Sequence, residues 1–338
     1  MKFGPVLLEA ALGHILGHNM AGADGRRLLR KGKPLTTSDL EALRALGHTS
    51  VYVAELTPDD LDEDTAARRV AEGLLGGGVR LSGPASGRVN FLATTLGVLR
   101  VEVERLAQVN ELEGLTLATL LTHTPVRPRQ IIATIKVIPF AVPMAVVQAV
   151  EHIAANGARM VRVDELPPRA VGLIFSGSPS IREKLMNDFA PLRERLEALG
   201  SRIALTDYIP LEDEAGEARL AETVARFQAQ AELIVIAGET AIMDRQDIVP
   251  RAVERAGGRV ACLGAPVDPG NLLMLAYIGA TPILGAPGCA RSRKTNIVDW
   301  VLPRLLAGDQ LSRADIIALG HGGLLEEAPE RPMPRDVI

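Results

Sequence analysis

Apolar positions recur at two periods along this chain, and the change of period divides it. Over residues 5–19, Leu7, Leu8, Ala11, Leu12, Ile15 and Leu16 fall at helical spacing, which predicts an amphipathic helix. DGRRLLRKGKPL reads as a short strand with turns. Ser38-x-x-Glu41 reads as a capping box opening the helix SDLEALRALG, which Gly47 stops. SVYVAEL is a strand, so residues 1–65 read as a small α+β module. DEDTAARRVAEGLL is a further helix, ended by Gly76-Gly77-Gly78. Short β-branched runs then take over: VRLSG, VLRVEVE, LTLATL and IIATIKVI. Between them stand turn residues such as Ser82-Gly83-Pro84, Ser86-Gly87 and Pro125-Val126-Arg127-Pro128, so 66–140 reads as a β-rich middle domain. AVPMAVVQAVEHIAANG is a helix, and 141–170 a connecting helix and linker.

From 171 to 310 strands and helices alternate. VGLIFSG, SRIALTDYI, ELIVIAG, RVACLG and TPILGAPG are strands. SIREKLMNDFAPLRERLEALG, EARLAETVARFQAQ, DIVPRAVERAGG and SRKTNIVDWVLPRLLAG are helices. This rhythm predicts an α/β fold with a doubly wound, mostly parallel sheet. Residues 311–338 form a C-terminal tail, Pro-rich and charged from 326 and expected to fray. No internal repeat is visible.

Composition narrows the function classes. Apolar residues make up 47% of the 338 and aromatics only 3%, so the core is aliphatic, as suits strands buried on both faces. A net charge of −4 argues against a nucleic-acid partner. Two cysteines, Cys262 and Cys289, make no disulfide framework. No apolar run reaches the ~18 residues of a membrane span, and the N-terminal stretch carries Glu9 and two histidines without a cleavage site. A soluble cytoplasmic protein is the expectation.

Ligands of open α/β sheets bind beyond the carboxyl ends of the strands. Four such ends carry small, hydroxyl or charged residues: Ser176-Gly177-Ser178-Pro179; Gly238-Glu239-Thr240 with Asp244 and Asp247; Asp268-Pro269-Gly270-Asn271; and Pro287-Gly288-Cys289-Ala290-Arg291-Ser292. All four should meet at one sheet edge. Gly and Pro there can be ordinary turn residues, and Asp near a helix start can simply favour the dipole. The last stretch, with Arg293 and Lys294 following, has three readings. It can be a reactive thiol, Cys289 lowered in pKa by a helix N-terminus and Arg291. It can be an anion pocket in which Gly288 lets the backbone approach, Ser292 donates and Arg291 forks. It can also be a plain turn with a basic helix start. His14 and His18 stand at i, i+4, a metal-capable spacing without an accompanying carboxylate. There is no P-loop, and Gly76-Gly77-Gly78 stands in the wrong order for a dinucleotide fold.

Phe175-Ser176-Gly177, Ala237-Gly238-Glu239-Thr240 with Asp244 and Asp247, Asp268-Pro269-Gly270-Asn271 and Gly285-Ala286-Pro287-Gly288 together resemble the molybdopterin-binding domain of molybdenum-cofactor biosynthesis proteins. The likeness runs over 171–307. The segment Lys31-Gly32-Lys33-Pro34-Leu35-Thr36 with its flanking elements is similar to the N-terminal part of molybdopterin molybdenumtransferases. The string from AIMDRQDIVPRAVERAGG to GAPGCARS looks closest to a subgroup associated with molybdenum hydroxylase maturation. This chain departs from the pattern at Glu239 and Ala241, where glycines are usual, at Cys289-Ala290, and at Asp268, where a lysine is common.

The resemblance implies a molybdopterin ligand, plain or adenylylated, cradled by Ser176, Gly177, Ser178, Gly238, Glu239, Thr240, the 268–271 loop and the Pro287–Ser292 loop. It implies Asp244 and Asp247 as catalytic groups and ligands of Mg²⁺, with molybdate as co-substrate. The reaction implied is molybdenum insertion. Two alternatives stand beside it: a non-catalytic carrier serving an apo molybdenum hydroxylase, and a nucleotide-processing enzyme on the same fold. Self-association is implied as well.

Overall fold

A computed structural model describes residues 1–211 and 214–325, so the tail expected to fray from 326 lies outside the described residues. The chain divides into two compact units. Met1–Thr95 and Leu99–Asp164 form the first; Leu96–Val98 and the chain from Glu165 form the second.

In the first unit the helix expected over 5–19 does not form. Lys2–Leu7 is instead a strand, antiparallel to Ser50–Glu55, with Lys2 opposite Glu55 and Leu7 opposite Ser50. A single 3₁₀ turn, Leu8–Ala10, follows. Pro5 has no N–H to give and suits this edge strand. Gly13, at φ +81°, ends any helical continuation. Helix Thr37–Ala45 is capped by Thr36, whose N–H donates to the Asp39 carboxylate at 2.9 Å; the capping box thus lies two residues before Ser38-x-x-Glu41. Further on, Val79–Leu81, Arg88–Ala93, Leu115–Thr119 and Ile131–Val137 make a four-stranded antiparallel sheet. It shares a core with helices Glu63–Leu74 and Met144–Ala155. The run read as one strand through VEVE ends at Val101, and a helix, Val103–Asn110, follows. Val103, Leu106 and Val109 recur every third residue there, a spacing that suits a helix better than a strand.

Elements of the second unit are numbered here: β1 (Ala170–Gly177), α1 (Arg182–Asp188), α2 (Ala190–Ala198), β2 (Arg202–Pro210), α3 (Glu214–Gln228), β3 (Leu233–Gly238), α4 (Ile248–Arg255), β4 (Arg259–Leu263), β5 (Met274–Ile278), β6 (Thr281–Ala286) and α5 (Ile297–Ala307). The six strands form one mixed sheet in the order β2-β1-β3-β6-β5-β4. β2, β1, β3 and β6 run parallel; β5 is antiparallel to both neighbours. β5 was not predicted, although its apolar run stands between Asn271 and Gly279. It joins β6 through a two-residue turn with Gly279 at φ +56°. Two other boundaries differ from the sequence pattern. The helix expected over 180–200 breaks at Phe189, just before Pro191. The helix expected from 292 begins at Ile297, capped by Asn296 and Asp299.

Side chains of the central strands alternate between two cores. Phe175 of β1 and Val235 of β3 pack with Leu185 of α1, Phe189, Leu192 of α2 and Leu302 of α5 on one face. Ile174 and Ile236 pack with Val224 of α3 and Val253 of α4 on the other. The helices that follow β1 and β3 therefore leave to opposite faces. Among the described residues no helix is long and apolar enough to cross a membrane.

Phe189 is fully buried in the first of these cores, with Trp300 packed against the same cluster. Phe189→Ala should destabilise the second unit by about 3–5 kcal/mol. Urea unfolding followed by fluorescence of Trp300, the chain's one tryptophan, reads that loss in this unit alone.

Candidate functional site

Where neighbouring parallel strands send their helices to opposite faces, nothing crosses above the gap between them, and a crevice is left at their carboxyl ends. β1 and β3 are such a pair, with Ser176 opposite Gly238. A crevice of about 320 Å³ stands there, lined by Ser176, Gly177, Ser178, Leu211, Glu239, Thr240, Ala241, Ile242, Asp247, Ile248 and Val249. Of the predicted site residues it gathers Ser176, Gly177, Ser178, Glu239, Thr240 and Asp247. Gly238 adjoins it in the strand. The apolar lining of Leu211, Ala241, Ile242, Ile248 and Val249 was not foreseen, because apolar residues at a strand end or helix start carry no chemical signature.

Glu239 ties the two walls together. Its Oε2 accepts the Ser178 N–H at 2.7 Å and the Ser178 hydroxyl at 2.8 Å. Its own N–H donates to the Ser176 carbonyl at 2.7 Å. The Tyr208 hydroxyl donates to the Ser178 carbonyl at 2.5 Å. Gly177 has to be glycine: a Cβ there would lie 2.7 Å from the Glu239 Cβ. The Ser178 N–H and hydroxyl, with Arg291 adding a smaller attraction, hold the Glu239 carboxyl below the usual glutamate range. Beneath this pair Ser176 is 2% exposed, and its Oγ has no hydrogen-bond partner among the described residues.

The stretch after β6 begins as a turn and not as the first turn of a helix. Pro287 precedes a short 3₁₀ turn, Gly288–Arg291. The cations lie ahead of the Asn296 cap of α5, not in its first turn. Arg291 points back at β3: its Nη2 donates to the Gly238 and Glu239 carbonyls at 2.8 and 3.0 Å. Its guanidinium lies 4.9 Å over the Phe189 ring, and its Nε is buried without a partner among the described residues. Arg293 pairs with Glu194, and the Ser292 Oγ accepts the Lys294 N–H at 3.1 Å. Burial pushes the Cys289 thiol pKa up, the opposite of the shift that activates a thiol. Cys262 is buried in β4, as expected of a core residue.

Asp244 and Asp247 lie in the loop before α4. The Asp247 Oδ2 accepts the Met243 and Asp244 N–H groups at 2.6 and 3.0 Å, and the Asp244 Oδ1 accepts the Gln246 N–H at 2.7 Å. The Asp247 carboxylate thus turns back into its loop, and no side chain caps α4. Among the described residues no three His, Cys, Asp or Glu side chains gather as a metal site. His14 and His18 flank a short strand and share no helix face. Asp268-Pro269-Gly270-Asn271 follows β4, which β5 and β6 separate from β3. Asp268 is bonded through its backbone to Gly323 and Leu325, the Pro269 carbonyl accepts the Ile297 N–H at 3.2 Å, and a Cβ on Gly270 would meet Ile297 at 2.3 Å. The four predicted loops therefore form two groups. One is the β1/β3 crevice. The other is the 268–271 and 287–297 segments, which Arg291 links to the crevice wall.

Residues 5–55 match the family described as "Domain of unknown function (DUF8806)". No curated protein matches the sequence. Among solved structures the chain is similar to the molybdopterin biosynthesis MoeA protein of Pyrococcus horikosii, at 13% identity and a TM-score of 0.31, over 91% of this chain and 75% of that one. It is similar also to a molybdenum cofactor biosynthesis protein from Pyrococcus furiosus, at 13% identity and a TM-score of 0.25, over 94% of this chain and 65% of that one. The fold described above rests on the strand order and register of this chain.

Two outcomes follow from the crevice geometry. Ser176→Ala removes a buried hydroxyl that has no partner, so its unfolding midpoint in urea should be no lower than the wild type's, with a gain of up to ~1 kcal/mol. Because the Glu239 pKa is depressed on folding, its contact with Ser178 is fully present above the ordinary glutamate pKa and is lost as pH falls through the lower folded value. The Ser178 amide resonance should accordingly titrate with a midpoint below the ordinary glutamate value. A midpoint at or above that value would contradict the contact.

Proposed function

We propose that this protein binds molybdopterin, plain or adenylylated, in the β1/β3 crevice, and acts in cytoplasmic molybdenum-cofactor biosynthesis as a molybdenumtransferase-like enzyme that uses molybdate. The observation that carries this reading is the crevice itself. It lies at the switch point of the sheet, has an unpartnered hydroxyl at its floor, and opens beside the uncapped first turn of α4. Such a turn offers backbone N–H groups and the positive end of a dipole to a phosphate. Ala241, Ile242 and Val249 give a flat ring system apolar contact, and Ser176 gives it a hydrogen bond.

Asp247, with Asp244 beside it, would hold Mg²⁺, an ion that needs only one or two carboxylates and completes its shell with water and phosphate. Bound there, the ion would neutralise phosphate charge. The protein's own contribution is to fix the loop: Asp247 ties Met243 and Asp244, and Arg291 holds the backbone of Gly238 and Glu239. Self-association and delivery to an apo molybdenum hydroxylase complete the reading. A second reading, a carrier without turnover, has one observation in its favour: Glu239 sets a carboxylate of the chain where a transferase loop would leave its donors open to the ligand.

Adenylylated molybdopterin, titrated with Mg²⁺ and molybdate present, should bind and release AMP. Asp247→Asn keeps an acceptor for the loop but removes the charge. It should bind within a few-fold of wild type and release AMP about 100-fold more slowly. Tight binding without AMP release would select the carrier, and absence of binding would refute both readings.

A further inference from the structure

Glu239 gives the crevice a polarity that its loop would otherwise lack. The backbone N–H and hydroxyl of Ser178, at the end of a strand, are the kind of donor pair that takes an anion oxygen. Here Glu239 Oε2 already occupies both, at 2.7 and 2.8 Å. A phosphate entering at this point would bring a charge of about −1.5 to −2 against the Glu239 carboxylate that already holds both donors. Arg291 adds only a small attraction there, and its Nη2 is already held on two carbonyls, so that nitrogen is not free for a phosphate. The crevice nevertheless keeps hydrogen-bonding capacity of the opposite kind. The hydrogen bonds of the Glu239 carboxylate fall on Oε2, and Ser176, which also lines the crevice, has a buried Oγ with no partner among the described residues.

We infer that Glu239 is a specificity-determining residue: it excludes phosphate from the Ser176–Ser178 loop, so that a ligand enters this end of the crevice by a neutral edge bearing N–H donors. The 2-amino-4-oxo edge of a pterin is such an edge, since its adjacent N–H groups match a carboxylate oxygen and a hydroxyl. The ligand's phosphate then lies at the other end, by the first turn of α4. This orientation rests on the crevice being the ligand site proposed above.

The test uses two probes on the full chain without Mg²⁺: a pterin lacking phosphate, and inorganic pyrophosphate. Each is titrated calorimetrically into wild type, Glu239→Gln and Ser176→Ala, with thermal melting as the folding check. The amide of Glu239→Gln still accepts from Ser178 but carries no charge. Pterin affinity should fall at least about tenfold in Glu239→Gln, the loss expected for one charge-assisted hydrogen bond, and several-fold in Ser176→Ala. Pyrophosphate affinity should rise at least about tenfold in Glu239→Gln and stay unchanged in Ser176→Ala. If pterin binds wild type and Glu239→Gln alike, or pyrophosphate does, the inference is overturned while the proposed function stands. If pterin fails to bind wild type at all, the inference is overturned, and the titration of adenylylated molybdopterin with Mg²⁺ decides the proposed function separately.

Discussion

Neighbouring parallel strands whose helices depart to opposite faces cannot be bridged above their ends, and this constraint places everything else in the second unit. β1 sends its chain to the face of α1, α2 and α5, and β3 sends its chain to the face of α3 and α4. The alternation of Phe175 with Ile174, and of Val235 with Ile236, fixes which face each helix must cover. A slip of one residue in either strand would exchange the two apolar sets. The gap that results is a consequence of buried packing and not of any catalytic side chain.

The loops around that gap are held mainly by their own polar groups. Glu239 reaches across to Ser178, Tyr208 fixes the Ser178 carbonyl, and Arg291 fastens the carbonyls of Gly238 and Glu239 from behind. Asp247 closes its own loop in the same manner. A site built this way is pre-organised before any ligand arrives. Its two unmet demands, the Ser176 hydroxyl and the Arg291 Nε, stand out because the surrounding groups are satisfied.

Much of the second unit was legible in sequence. Continuous apolar runs bounded by turn residues marked five of its six strands, and the hydroxyl and glycine residues after β1 and β3 marked the crevice. β5 lies in the apolar run Leu272–Ile278 between Asn271 and Gly279 and carried the same signal, but it went unread beside the 268–271 loop. The basic stretch 291–294 misled because charge alone does not say where a helix starts. Asn296 and Asp299 form the actual cap, and Arg291 turns away from it. At Cys289 burial governs the thiol and pushes its pKa up, the direction opposite to the reactive-thiol reading. In the first unit a helical spacing of Leu7, Leu8, Ala11 and Leu12 lost to long-range pairing with Ser50–Glu55, a tertiary override that local pattern does not carry. The apolar crevice lining had no sequence signal beyond its adjacency to Thr240 and Asp247.

The most direct measurement is amide hydrogen exchange of the full chain with and without molybdopterin. If the β1/β3 crevice is the binding site, added protection should concentrate in 176–178 and 239–249, with little change in 268–271 and none in the first unit. Protection centred on 268–271 and 287–294, leaving 239–249 unchanged, would contradict the account.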